Sequence, residues 1–145
     1  MALSAAANYE ARLAGSNSFE VTNALQVFAG ALVGVDDSTG RLVLWSDTAG
    51  DVFAGIALED ALGDTSASPP VRVSVNTSGT ILAKISVTGV SAIANVLDKI
   101  YATDDNTFTT SATSNVDEVG FCVAYHTGST CDVQLLSMLE YQASL

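Results

Sequence analysis

The chain has 145 residues, of which 48% are hydrophobic but only 7% aromatic and 14% charged. Sixteen acids against five bases leave a net charge of −11, a field that repels phosphate backbones and anionic membranes and so argues against nucleic acid or a membrane as a direct ligand. The length fits one domain, with a core filled by Val, Ile, Leu and Ala more than by rings.

Met1 to Ala7 has no basic stretch and no long apolar run, so no signal peptide is expected. No run of about 18 apolar residues is present, which argues against a membrane span. Residues 1–26 read as an N-terminal arm and 27–145 as a β domain. Ala5 to Leu13 fits a short helix stopped at Gly15, and Gly15-Ser16-Asn17-Ser18 is loop chemistry. This segment is either a frayed terminus or an arm lying across a neighbouring subunit. In the second case Tyr9, Leu13 and Phe19 are its apolar anchors. Arg12, the only base in the first 40 residues, would face a partner carboxylate.

The β region begins near Gln26. Val27 to Val35 and Arg41 to Trp45 flank the loop Asp36-Asp37-Ser38-Thr39-Gly40, a hairpin pattern. Val52 to Leu58 follows, and its interior Gly55 signals a bulge or a close backbone approach. Glu59 to Pro70 reads as a polar linker outside the sheet. Val71, Val73 and Val75 alternate, as do Ile81, Ala83, Ile85 and Val87, and Asn76-Thr77-Ser78-Gly79 is expected to join them as a hairpin. Ser91 to Leu97 has helical spacing with Ser91 as N-cap. Asp104-Asp105-Asn106 turns between Tyr101 and Phe108, and His126 to Thr130 turns between Glu118–Tyr125 and Cys131–Leu136. Strands this short with turns this frequent predict an all-β fold, a compact sandwich or barrel of antiparallel strands with one short helix.

Chemistry-bearing residues are few. His126 is the single histidine and has no nucleophile elbow to serve, so no catalytic site is expected. Cys122, His126 and Cys131 match no common zinc spacing. The acid pairs Asp36-Asp37, Glu59-Asp60, Asp104-Asp105 and Asp117-Glu118 sit in turns without an EF-hand pattern and read as solvated turn formers, so no metal and no cofactor is expected. The predicted hairpin sets Cys122 opposite Gln134 and Tyr125 opposite Cys131. That register keeps the sulfurs apart as two free thiols made in a reducing cytoplasm. Trp45, the sole tryptophan, is either a core plug or an anchor at a subunit interface.

Four stretches in order carry a resemblance: Phe28-Ala29-Gly30-Ala31-Leu32-Val33, Val52-Phe53-Ala54-Gly55-Ile56-Ala57, Asp98-Lys99-Ile100-Tyr101-Ala102-Thr103-Asp104-Asp105, and Val119-Gly120 with Cys131-Asp132-Val133-Gln134-Leu135. Together they resemble the capsid cement, or head decoration, proteins of tailed bacteriophages, over about Phe28 to Leu136. Where that family often has Gly before the Asp of the third motif, this chain has Leu97. The resemblance implies a non-enzymatic homotrimer on the outer face of the virion shell. It would sit at three-fold and quasi-three-fold positions, clamping the major capsid protein, after synthesis in the host cytoplasm. Rival readings are a receptor- or glycan-binding head-fibre or adhesin domain, a tail-tube or baseplate protein, and a hydrolase.

Overall fold

In the computed structural model the described residues are 15–145. In chain order they form β1 (Ser16–Glu20), β2 (Gln26–Val27), β3 (Leu32–Asp36), β4 (Leu42–Leu44), β5 (Asp51–Ala57), β6 (Ala61–Leu62), β7 (Arg72–Asn76), β8 (Ile81–Thr88), a 3-10 turn (Ile93–Asn95), β9 (Lys99–Ala102), β10 (Phe108–Thr109), β11 (Gly120–Tyr125), β12 (Thr130–Leu135) and α1 (Met138–Ser144). The fold is all-β with one short helix, as the strand pattern predicts. Among the described residues no helix is long and apolar enough to cross a membrane.

Five strands make an antiparallel sheet in the order β1-β7-β5-β3-β4. Five others close into a small barrel, β10-β8-β12-β11-β9, antiparallel except where β10 runs parallel to β8. β2 pairs with β6 as a separate ribbon. The larger core joins sheet to barrel: Leu32, Trp45 and Phe53 meet Val87, Ile100, Cys122 and Val133, with Tyr141 of α1 among them. A smaller core of Val21, Val33, Leu42, Val73 and Val75 lies within the five-stranded sheet system.

The outer strands of that sheet are drawn together just beyond β1. Val21 bridges to Leu42, the Thr22 amide and hydroxyl both donate to the Leu42 carbonyl, and Arg41 Nε pairs with Glu20 Oε1 at 2.9 Å.

The seam draws on residues 16–22, within the expected N-terminal arm. Ser16 to Glu20 is a strand paired with β7, and Val21 and Val27 are fully buried in the same core as Val73. The Gly-Ser-Asn-Ser composition suggested a loop. However, β1 gains its hydrogen bonds from β7 rather than from its own propensity, and tertiary pairing overrides local preference. The predicted helix at Ala5–Leu13 lies outside the described residues.

Three further expectations change. First, β7 and β8 do not form a hairpin. β7 pairs with β1 and β5, whereas β8 pairs with β10 and β12, so the 76–79 loop crosses from sheet to barrel. Its Asx turn, with Asn76 Oδ1 accepting from the Ser78 amide and hydroxyl, is a connector as well suited to a crossover as to a hairpin. Second, Ile81 is exposed and the alternation along β8 slips. A bulge at Lys84, whose φ is +53°, brings Leu82, Ile85 and Val87 to the core instead. Third, the one or two helical turns expected over Ser91–Leu97 are a single 3-10 turn whose N-cap is Ala92 instead of Ser91, with Asn95 Oδ1 accepting from the Ser91 and Ala92 amides. The α-helix stands instead at the C-terminus. There Ser137 Oγ accepts from the Glu140 amide and Glu140 Oε1 accepts from the Ser137 amide, a capping box written in the sequence as Ser-x-x-Glu.

The hairpins expected at 36–40 and 104–106 form. Val35 faces Leu42 across the 36–40 loop, and Phe108 faces Ala102 across the 104–106 turn. Part of the expected linker, Ala61–Leu62, is a strand because it has β2 to pair with.

Candidate partner-binding surface

The structure places the sequence-derived interface residues apart. Tyr9, Arg12 and Leu13 lie outside the described residues. Phe19 sits on β1, partly buried against the smaller core of its own chain. Trp45 is 1% exposed. Its ring meets Phe53 and Tyr141 edge-on at 5.3 and 5.6 Å, and its Nε1 donates to the Ala102 carbonyl at 3.1 Å. Of the two readings offered for Trp45, core plug is the one observed. A side chain buried in this way has no free surface to anchor a partner, so Trp45 is withdrawn as an interface residue.

The exposed large apolar side chains are different ones. Phe28, Leu58 and Leu62 lie on or beside the β2–β6 ribbon and are 62%, 52% and 58% exposed. Phe28 follows β2 directly, and Asp60 Oδ1 fixes the next residue by accepting from the Ala29 amide at 2.7 Å. No alternation or moment marks them, because each stands beside a strand end where periodicity does not select a face.

Ile93, on the 3-10 turn, and Leu97, two residues beyond it, are also exposed. Leu97 has φ of +76° and is 72% exposed. The turn therefore keeps a conformation that suits Gly, with its amide donating to the Cys122 carbonyl at 2.7 Å. A left-handed conformation costs an L-residue about 1–2 kcal/mol, partly offset by the greater chain entropy of Gly when unfolded. Leu97→Gly is expected to raise the unfolding free energy by about 0.5–1 kcal/mol, read as a higher denaturant midpoint at unchanged slope. A lower midpoint would show that the exposed side chain stabilises the monomer after all.

The acids act as local fasteners. Asp36 and Asp64 accept from the Ser38 and Ser66 hydroxyls first and from the same residues' amides second, Asp104 accepts from the Asn106 amide, and these bonds hold the three carboxyls below the usual range. Glu59 and Asp60 accept from the Ser74 and Ala29 amides, and Glu118 pairs with Lys99 at 3.1 Å. Among the described residues no group of three His, Cys, Asp or Glu side chains is arranged to hold a metal ion. Asp37, Asp51 and Asp117 border a cleft of about 430 Å³ floored by Tyr141. Burial raises the Asp51 carboxyl, and repulsion from Asp36 and Asp37 adds to it.

His126 is a hairpin residue, as expected, but it has a partner that sequence spacing did not reveal. Its Nε2 lies 2.6 Å from Asp132 Oδ1, and the same oxygen accepts from the Lys84 amide at 2.8 Å. The Lys84 amide first, and His126 second, hold the Asp132 carboxyl low. The pair pins the β8 bulge.

The two cysteines are free and buried. Tyr125 does oppose Cys131, but a bulge between Cys122 and Ala124 sets Cys122 opposite Val133 instead of Gln134. This brings the two thiols onto one face as diagonal neighbours, contrary to the separation expected from an unbroken ladder. Burial first, then the adjacent Cys122 thiol, pushes the Cys131 thiol up to about 12. It is therefore inert as a nucleophile at neutral pH.

Compared with known proteins, the chain matches no family model and no curated protein.

Proposed function

We propose that this is a non-enzymatic virion structural protein. It binds, as a homotrimer, the outer surface of an assembled phage capsid at three-fold and quasi-three-fold positions and stabilises the lattice of the major capsid protein. The observation that carries this reading is the exposed trio Phe28, Leu58 and Leu62. Phe28 opens the first of the resembling stretches and Leu58 directly follows the second, while the interiors of those stretches supply β3 and β5 to the cores. The same motifs thus build the fold and leave an apolar rim at its surface. Exposed apolar side chains on an acidic protein mark a protein partner more readily than a polyanion or an anionic membrane. A protein that binds only the assembled lattice stabilises it by mass action.

The alternative, a receptor- or glycan-binding head-fibre domain, needs exposed aromatic platforms. The burial of Trp45 removes its best one.

The test is to mix the protein with expanded, empty capsids. Saturable uptake is expected, with three copies per three-fold position. Phe28→Ser together with Leu58→Ser is expected to weaken uptake at least about tenfold, since burying one large apolar side chain contributes about 1.5–3 kcal/mol and about 1.4 kcal/mol is tenfold. Uptake that neither saturates nor responds to the double substitution would reject the proposal.

A further inference from the structure

Residues 26–31 and 57–62 run side by side beyond the two paired positions of the β2–β6 ribbon. Gln26 faces Leu62 and Val27 faces Ala61. The Ala29 amide then donates to Asp60 Oδ1 at 2.7 Å, the Gly30 amide to the Ala57 carbonyl at 2.8 Å, and the Ala57 amide to the Ala31 carbonyl at 3.0 Å. Val27 is fully buried, so its neighbours Gln26 and Phe28 turn outward, and Leu62, opposite Gln26, turns outward with them. Phe28 and Leu62 are therefore diagonal neighbours on one face, close enough to meet the same bound chain. Leu58 is exposed towards the other end of the same strip.

The strip is also acidic. Glu59, Asp60 and Asp64 are interspersed with the two leucines in Leu58-Glu59-Asp60-Ala61-Leu62-Gly63-Asp64, and no Lys or Arg occurs from 42 to 71. Each carboxylate is fixed by a donor of its own chain. Glu59 Oε1 accepts from the Ser74 amide at 2.9 Å, Asp60 from Ala29 as above, and Asp64 Oδ1 from the Ser66 hydroxyl and amide at 2.6 and 2.9 Å. Among the described residues none of the three pairs with a cation. Arg72, two residues from Ser74, directs its guanidinium instead to the Ser18 carbonyl at 2.6 Å and hydroxyl at 3.1 Å. Arg41 and Lys99 are held by Glu20 and Glu118. A second copy of this chain would bring its own net charge of −11 to the strip, with these bases already engaged.

We propose, resting on the capsid reading above, that this strip receives a segment of the shell protein in which apolar side chains are interspersed with Lys or Arg. The apolar side chains lie against Phe28, Leu58 and Leu62, and the bases meet Glu59, Asp60 and Asp64. Because these carboxylates are already held in place, pairing them costs little further side-chain freedom. The apolar contacts supply most of the hold, and the charges set register and speed the encounter.

The experiment uses the full chain and measures uptake by expanded, empty capsids, with the folding of each variant checked by thermal unfolding. Glu59→Gln, Asp60→Asn and Asp64→Asn together keep the oxygens that accept from Ser74, Ala29 and Ser66 and remove only the charge. This triple variant is expected to bind about tenfold more weakly, on the scale of three exposed ion pairs. Wild-type uptake is expected to weaken as salt rises from about 0.1 M to about 0.5 M, and uptake of the triple variant to respond less. A control with the same loss of charge elsewhere, Asp37→Asn, Asp51→Asn and Asp117→Asn, is expected to stay within about twofold of wild type. Equal weakening by both triple variants would trace the effect to net charge and overturn the proposal. Saturable uptake that ignores both the first triple variant and salt overturns it as well, and leaves the capsid reading standing. No uptake of the wild type at any salt overturns the capsid reading and this proposal together.

Discussion

Trp45→Ala is expected to lower the unfolding free energy by about 3–5 kcal/mol, a large share of the stability of a domain this size. Trp45 follows β4 in the five-stranded sheet, but its indole donates to Ala102 of the barrel and packs on Phe53 and Tyr141. It is therefore the side chain through which sheet, barrel and helix share one core. Removing it opens a cavity among rings that cannot collapse together, since Phe53 and Tyr141 are themselves 5.9 Å apart and held from different elements. Trp45→Phe separates the two contributions. It keeps much of the packing but leaves the Ala102 carbonyl without its indole donor, and about 1–3 kcal/mol is expected for that loss. Guanidinium titration of both variants checks the order. A Trp45→Ala cost below that of Trp45→Phe would contradict the assigned role.

Gly55→Ala is expected to cost about 3–5 kcal/mol, with the protein recovered mostly unfolded or aggregated. Gly55 has φ of +139°, a region that side chains rarely enter, and a Cβ there would overlap the Asn76 carbonyl oxygen. Strain of about 1–3 kcal/mol and overpacking of about 1–3 kcal/mol both apply. The carbonyl cannot retreat, because Asn76 is paired with Ile56 on one side and Ser16 on the other. Both alternatives offered for an interior strand glycine hold at once. Gly55 sits at the β3–β5 bulge and also under a close backbone crossing. Gly34→Ala is the contrast. Its added Cβ would meet Trp45 ring carbons and the Val52 carbonyl at 3.0 Å, a tight contact without a left-handed backbone, and a smaller loss is expected. If circular dichroism and thermal midpoints rank Gly34→Ala above Gly55→Ala in damage, the backbone argument fails.

Much of the fold was legible in the residues. The hairpins at 36–40 and 104–106 have the acid-rich, Gly- or Asn-bearing turns that local hydrogen bonding favours, and they form where expected. The C-terminal capping box is also written in the sequence, as Ser137 and Glu140. The candidate surface was less legible. Exposure at Phe28, Leu58 and Leu62 depends on what covers a strand end, which no periodicity reports.

The sequence by itself determined the class of fold, the turns and the composition of the core. Those are set within windows of a few residues, by alternation, by Asx chemistry and by the supply of Val, Ile and Leu. Only the tertiary structure decided partnership. It placed β7 and β8 in different sheets, made Ser16–Glu20 a strand, moved Cys122 one position against β12, paired His126 with Asp132 and buried Trp45. Each of these depends on pairing across many residues or on a bulge that shifts register by one. A one-residue shift reverses which face a strand presents, and nothing in the local pattern records it.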